Sequence, residues 1–263
     1  MTKGKERFRK FISDFYLVII LIFLYAPIFT MMVLSFNQSK SRTHWGGFTL
    51  SWYRQMFESR AIMYALYTTL LVAMISALVA TVIGTVTALA INHMKPVSKN
   101  IFMGISNIPM LNADIVTGIS LMLAFIAFGI SLGFKTVLIS HITFNIPYVI
   151  LSVMPKLKQT DRSTYEAALD LGASPAYAFF QVVFPDIMPG VLSGFLLAFT
   201  MSLDDFIITH FTKGAGINTL STLIYSEVRR GIRPSMYALS TVIFVVVLVV
   251  LLIANFRKQP EKD

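Results

Sequence analysis

The chain has 263 residues, of which 56% are apolar and only 13% charged, with a formal net charge of +9. That excludes an ordinary soluble globular domain, in which about a quarter of residues are charged, and the lack of cysteine excludes disulfides and Cys-ligated metal sites. The 22 Lys and Arg are scattered along the chain rather than gathered into a basic face, so they suit anchoring to an anionic lipid leaflet and argue against a nucleic-acid partner.

In chain order, a basic cluster (Lys3, Lys5, Arg7, Arg9, Lys10) precedes the first apolar run. That run is longer than the about 7–15 residues of a secretory signal and ends in no small-x-small site, so a first transmembrane helix is expected. Runs almost free of charge predict six spans, at 15–36, 64–92, 101–129, 136–154, 188–211 and 236–256, each near or above the ~20 residues that cross ~30 Å of hydrocarbon. The expected fold is all-α and integral to the membrane, a single domain over residues 1–263 with a loop at 155–187 between spans four and five. With the N-terminus inside, the inner segments carry 13 Lys and Arg and the outer segments 9, which predicts that both termini and the 155–187 loop are cytoplasmic.

Both tryptophans, Trp45 and Trp52, fall in the first outer loop, where an interfacial belt is the simplest expectation. Span two holds the small residues Gly84, Thr85 and Thr87, which permit close helix packing. Span three is interrupted by Asn107, Pro109, Asn112 and Asp114. Span four carries His141, Asn145 and Pro147, and a kink is expected there because Pro147 donates no backbone hydrogen bond. The loop from Ile224 to Pro234 mixes Glu227 with three arginines, which suits either a docking surface or a solvated loop.

Acids inside a membrane are costly unless they face water, a partner or a cation, and three lie within the predicted spans: Asp114, Asp204 and Asp205. At ~1.5 Å per residue, Asp114 and Asp204 fall about 20 Å along their spans, in the outer half. Asp205 shares a helical stripe with Ser202 and Thr209, so it is predicted to face a cation pathway. Asp204 shares its stripe with Met201, Ile208 and Phe211, and is expected to hold a helix contact or cap the outer mouth. The competing role for all three is pairing with Lys135, His141, His210 or an outer-loop arginine.

The 155–187 loop contains Glu166-Ala167-Ala168-Leu169-Asp170-Leu171-Gly172-Ala173-Ser174-Pro175 and then Phe184-Pro185. The alanines favour helix and permit close approach, Gly172 permits a turn that a side chain would resist, and Glu166 is expected near the helix start, where a carboxylate is favoured. This spacing resembles the EAA loop of binding-protein-dependent ABC importer permeases of type I. The resemblance implies a coupling helix that docks into a separate ATPase through Glu166, Ala167, Ala168, Asp170, Gly172 and Pro185.

Three further segments, Gly47-Phe48-Thr49-Leu50-x-Trp52-Tyr53, Ser140-His141-Ile142-Thr143-Phe144-x-x-Pro147 and Ser202-x-Asp204-Asp205, are similar to those of the C-type permease subunit of spermidine/putrescine importers. What that likeness implies is half of a heterodimeric pore in a bacterial cytoplasmic membrane, completed by a second, homologous permease. Its other implied partners are two copies of an ABC ATPase, which bind the ATP and Mg, and an extracytoplasmic polyamine-binding protein. No cofactor, catalytic residue or metal ligand is expected on this chain itself. The run Pro234-Ser235-Met236-Tyr237-Ala238-Leu239 departs from the acidic-Asn pattern common in such relatives at the start of span six.

Other readings are a permease for another solute, such as ferric ion, whose hard charge carboxylates also suit, and an integral-membrane enzyme. The intramembrane charges are acidic, which disfavours an anion carrier. His44, His93, His141 and His210 are far apart, and neither HExxH nor GxSxG occurs, which disfavours the enzyme. Without a GxxxxGK[ST] motif, the energy for transport must come from another chain.

Overall fold

In the computed structural model, residues 3–256 are described, with side chains described for all but 3–13, 162, 250, 251 and 253–256. The side chains of the N-terminal basic cluster, and the basic residues Arg257, Lys258 and Lys262 counted above on the inner side, lie outside the described residues.

The described residues form helices α1 (Lys3–Ser35), α2 (Ser51–Glu58), α3 (Arg60–Asn92), α4 (Pro96–Leu111), α5 (Asp114–Ala127) and α6 (Phe134–Gln159). They continue with α7 (Arg162–Asp170), α8 (Pro175–Ala178), a π-helical turn (Phe179–Val183), α9 (Phe184–Asp204), α10 (Ile207–Thr212), α11 (Leu220–Arg230) and α12 (Pro234–Phe256). Four stretches are long and apolar enough to cross a membrane: Asp14–Ser35, Arg60–Asn92, Phe134–Gln159 and Pro175–Asp204. The pair α4 and α5 is long and apolar enough only when taken together, and the two are bent by 102°, the geometry of a broken span or a re-entrant loop. The sixth predicted span corresponds to α12, whose part Pro234–Val249 is a shorter apolar helix.

Two predicted spans are therefore not single rods. The third, predicted over 101–129 with Asn107, Pro109, Asn112 and Asp114 interrupting it, breaks after Leu111, where Asn112 (ψ 149°) and Ala113 (ψ 136°) are extended. Pro109 weakens the last turn before that break, because it cannot donate to the helix ladder. The fifth, expected over 188–211, is continuous with the loop helix from Pro175 and stops at Asp204, and after an extended Asp205 (ψ 125°) the chain restarts as α10. By contrast, α6 runs through Pro147 and Pro155 as one helix.

The chain divides into two compact units, one of residues 1–63 with 226–263 and the other of residues 64–225. In the first, α1 and α2 pack on α12, and Tyr25 meets Phe244 edge-on with ring centroids 6.4 Å apart. The loop after α1 is organised by Asn37. Its Nδ2 donates to the carbonyls of His44 (2.8 Å) and Ser41 (3.2 Å), and its Oδ1 accepts from the amides of Gly46 (2.9 Å) and Ser39 (3.1 Å). Trp52 is buried and donates its Nε1–H to the Asn37 carbonyl at 2.7 Å, so it anchors this loop rather than joining an interfacial belt, whereas Trp45 is exposed.

Before α12, Arg233 forms a two-pronged ion pair with the buried Glu227, one prong being Nε to Oε2 at 2.6 Å. The Arg233 hydrogen bond is the main cause that holds the Glu227 carboxyl below its ordinary range. A carboxyl depressed in the folded state adds stability above its unfolded pKa of about 4.3, and that stability is lost as pH falls through the lower folded value. Amide exchange at residues 227–233, corrected for its intrinsic pH dependence, is expected to quicken between pH 5 and pH 3. A Glu227→Gln variant should exchange fast throughout that range.

In the second unit, α3, α6 and α9 share one core, built from Ala77, Ala80 and Ala88 of α3, Val149, Ile150 and Val153 of α6, and Ile187 and Ala198 of α9. Small residues set the spacing. A Cβ on Gly84 would lie 2.7 Å from the Val149 Cβ, and one on Gly190 would lie 3.0 Å from the Ser152 carbonyl oxygen. Helix backbones at such distances gain dispersion and weak hydrogen bonding in place of the hydrophobic effect that lipid withholds.

Candidate functional site

The first functional region lies between α6 and α9. The helix α7 begins at Arg162 with Asp161 as its cap, the Asp161 side chain accepting from the Ser163 amide at 2.9 Å. That backbone hydrogen bond is the largest cause holding the Asp161 carboxyl below its ordinary range. Glu166 is therefore a mid-helix residue and not the N-terminal carboxylate expected from the sequence, because the helix starts earlier, at the Asp cap.

The other end of α7 is a Schellman turn: the Gly172 amide donates to the Leu169 carbonyl (2.9 Å) and the Ala173 amide to the Ala168 carbonyl (3.1 Å). Gly172 takes φ +89°, and an added Cβ would meet nothing within 4 Å, so backbone conformation and not space selects glycine here. Glu166, Ala167, Asp170 and Gly172 are exposed, Ala168 is half-buried, and Leu171 beside them is 89% exposed. Pro185, also exposed, follows the π-helical turn. Its ring cannot accept a normal turn against the carbonyl four residues back, and the wider turn relieves that clash. A cavity of about 560 Å³, lined in part by His93, Asp161, Tyr165 and Glu166, opens between α7 and the adjoining ends of α3 and α6.

The second region is the break between α9 and α10, where the two neighbouring acids part company. The Asp205 side chain is 8% exposed and lies 3.3 Å from His141 Nε2. Its oxygens accept from the amides of Ile208 (3.1 Å) and Thr209 (2.8 Å) and from the Thr209 hydroxyl (2.7 Å), so it caps α10. The predicted gathering of Ser202, Asp205 and Thr209 does occur, around His141, whose Nδ1 is 2.5 Å from Ser202 Oγ and whose Nε2 is 2.8 Å from Thr209 Oγ1. The predicted outlook of Asp205 is not met. Asp205 turns into this buried cluster, while Asp204, assigned above to a helix contact or the outer mouth, is exposed at the C-terminus of α9. The helical stripe failed as a guide to direction because the helix stops at Asp204.

Asp114 is exposed and opens α5, directly after the 102° bend. Asp114, named above among the residues that interrupt span three, is thus the first residue of its second helix. α5 packs on α10 at Gly118, where an added Cβ would lie 3.2 Å from the Phe211 ring and 3.4 Å from the Ile208 Cα.

Sequence reasoning missed the ring cluster of Phe206, His210 and Tyr225 that follows the α9–α10 break. Phe206 stands 4.5 Å from Tyr225 and 5.2 Å from His210 between centroids, with Tyr225 40% exposed. Its pairing with His210 was open to a helical i, i+4 reading. Tyr225 comes from the following helix, and nothing local announces it.

Residues 80–257 match the family of binding-protein-dependent transport system inner membrane components. The chain is 38% identical to the putrescine transport system permease protein PotI of Escherichia coli K12, with 95% of each chain covered. It is also 38% identical to the spermidine/putrescine transport system permease protein PotC of the same strain, with 90% of each covered. Among solved structures, a permease chain of a bacterial ABC transporter that imports the acidic polysaccharide alginate superposes with a TM-score of 0.75, at 18% identity and 97% coverage of this chain and 96% of that one. The family match, the two permease relatives and the shared all-helical architecture place this chain among the inner-membrane components of binding-protein-dependent transport systems, to which it belongs.

Proposed function

We propose that the chain is the permease subunit of an ATP-driven polyamine importer, taking spermidine or putrescine, and that it forms half of the translocation pore. Its partners are a second, homologous permease, two copies of an ABC ATPase carrying ATP and Mg, and an extracytoplasmic polyamine-binding protein. Both termini and α7 face the cytoplasm of a bacterial cell, and α7 docks on the ATPase through Glu166, Ala167, Ala168, Asp170 and Gly172, with Pro185 shaping the return into α9.

The observation that carries the substrate class is Asp204. It is an exposed carboxylate on the last residue of α9, where the helix dipole already makes the potential negative. A carboxylate is disfavoured at that end of a helix unless a cation comes to it, and broken helices place such ends at cation sites in transporters. Two residues along the chain, Phe206 packs with Tyr225, and such rings offer faces that attract cations and sides that accept methylene groups. A flexible polyamine presents both. Asp114, at the start of α5, is the second acid of the proposed pathway. A ferric ion would call instead for several converging oxygen ligands, and among the described residues no three His, Asp or Glu come together to hold a metal.

The test is uptake of radiolabelled spermidine into proteoliposomes holding the chain with its co-purified partners, ATP inside and the binding protein outside. ATP-dependent uptake that excess putrescine competes away supports the reading. An assembled complex that hydrolyses ATP yet takes up no polyamine refutes it.

The docking role has its own check. Gly172→Val forces a β-branched residue to φ +89°, a strain of at least about 1–2 kcal/mol, and should fray the end of α7. Uptake per ATP hydrolysed is expected to fall at least fivefold in that variant. Unchanged stoichiometry with normal assembly would count against α7 as the docking element.

A further inference from the structure

His141 is 1% exposed, and both its ring nitrogens are engaged with one feature, the break between α9 and α10. One proton arrangement satisfies every contact: Ser202 donates to Nδ1, Nε2–H donates to Thr209 Oγ1, and the Thr209 hydroxyl donates to Asp205 Oδ2. Ser76 of α3 extends the chain, its Oγ 3.1 Å from Ser202 Oγ, and Ser221 Oγ donates to the Asp205 carbonyl at 2.7 Å. Further along α6, Thr136 donates to the Thr212 carbonyl at 2.7 Å, so α6 holds α10 at both ends.

Burying an imidazole and a carboxylate is unfavourable unless every polar atom finds a partner, and a satisfied network then specifies one arrangement against others. The arrangement specified here is the break itself. A helix that continued from α9 through residues 205 and 206 would keep its ladder of backbone hydrogen bonds, so something must favour the interruption. The Asp205 cap and the His141 contacts supply that preference.

We propose that His141 is a positioning residue: by tying Ser202, Asp205 and Thr209 to α6, it holds the α9–α10 break open and keeps the Asp204 carboxylate exposed. The same contacts join α6 and α9 at the end remote from α7, while Gly190 against Ser152 and Lys156 joins them nearer to it. The two helices that flank the 155–187 loop are therefore in contact near both ends. For transport, this rests on the polyamine-pathway reading of Asp204 given above.

The chain contains no cysteine, so Asp204→Cys gives it a single thiol, read on this chain's own band after gel separation from its partners. Its reaction rate with a membrane-impermeant thiosulfonate is to be measured in the assembled complex with His141, His141→Leu or His141→Gln. Leucine fills the space without polar contacts, and glutamine returns an N–H donor within reach of Thr209 and Asp205. The rate is expected to fall at least fivefold with leucine and to recover to within about twofold with glutamine. Equal rates in all three complexes would overturn the proposal and leave His141 as filler.

If the leucine variant does not co-purify with its partners, Ser202→Ala and Thr209→Val each remove one contact. Either should slow labelling at least twofold, and no change in both would equally overturn the proposal. Labelling needs no substrate, so its failure leaves the polyamine reading intact. A wild-type complex that takes up no polyamine refutes that reading without touching the labelling result.

Discussion

Replacing Asp204 with Asn is expected to lower polyamine uptake at least tenfold, about 1.4 kcal/mol or more, in complexes that assemble normally. Asparagine keeps the shape and removes only the charge, and Asp204 is exposed, so the surrounding fold has little to lose. The neighbouring Asp205→Asn should behave differently. An amide there can accept one of the two backbone N–H groups that cap α10, but its NH2 would face donors where the carboxylate now accepts from Thr209. Loss of a buried hydrogen-bonded carboxylate on this scale costs about 2–3 kcal/mol. The expected result is a lower yield of assembled complex, with uptake falling in proportion. Uptake scaled to the amount of assembled complex separates the two. If Asp205→Asn assembles fully and Asp204→Asn transports normally, the assignment of the two acids is inverted.

The second large effect is at Gly84, where α3 crosses α6. A Cβ there would sit 2.7 Å from the Val149 Cβ and 3.2 Å from the Ile146 carbonyl oxygen, and Val149 is fully buried. A β-branched side chain has no second rotamer to retreat to, so the helices must separate. Overpacking of this kind costs about 1–3 kcal/mol, and it loosens the core that α9 also shares. Gly84→Ala is therefore expected to lower the thermal midpoint of the purified complex by several degrees. Gly104→Ala is the matched control, since nothing lies within 4 Å of its added Cβ, and it should be neutral or slightly stabilising through helix propensity. Similar midpoints for the two variants would show that the close approach of α3 and α6 does not limit stability.

The 155–187 loop is the most legible part of the chain. Its helix, its glycine turn and its proline return are each governed by residues a few positions apart, so spacing carries the information. Even there the start of α7 was misplaced, because Asp161 competes with Glu166 for the N-terminal role and wins by its hydrogen bond to Ser163. Of the acids, Asp205 turns away from the open face expected of it. The stripe of Ser202, Asp205 and Thr209 pointed to one gathering place, and His141 was weighed as a partner, yet the stripe could not say whether that place was open or buried.

By itself the sequence determined the membrane class, the approximate positions of the apolar helices, the glycine turn of the 155–187 loop and the family likeness. These depend on composition, on run length against the thickness of hydrocarbon, and on backbone preferences of single residues such as Gly172. Only the tertiary structure decided that the interruption of span three is a 102° bend, that span five stops at Asp204, that Trp52 is a buried anchor, and that Asp204 is the exposed acid while Asp205 is the buried one. Each of those outcomes turns on a partner far along the chain or on competition between a helix ladder and side-chain caps. A linear pattern records which groups are present, and packing decides which of them meet.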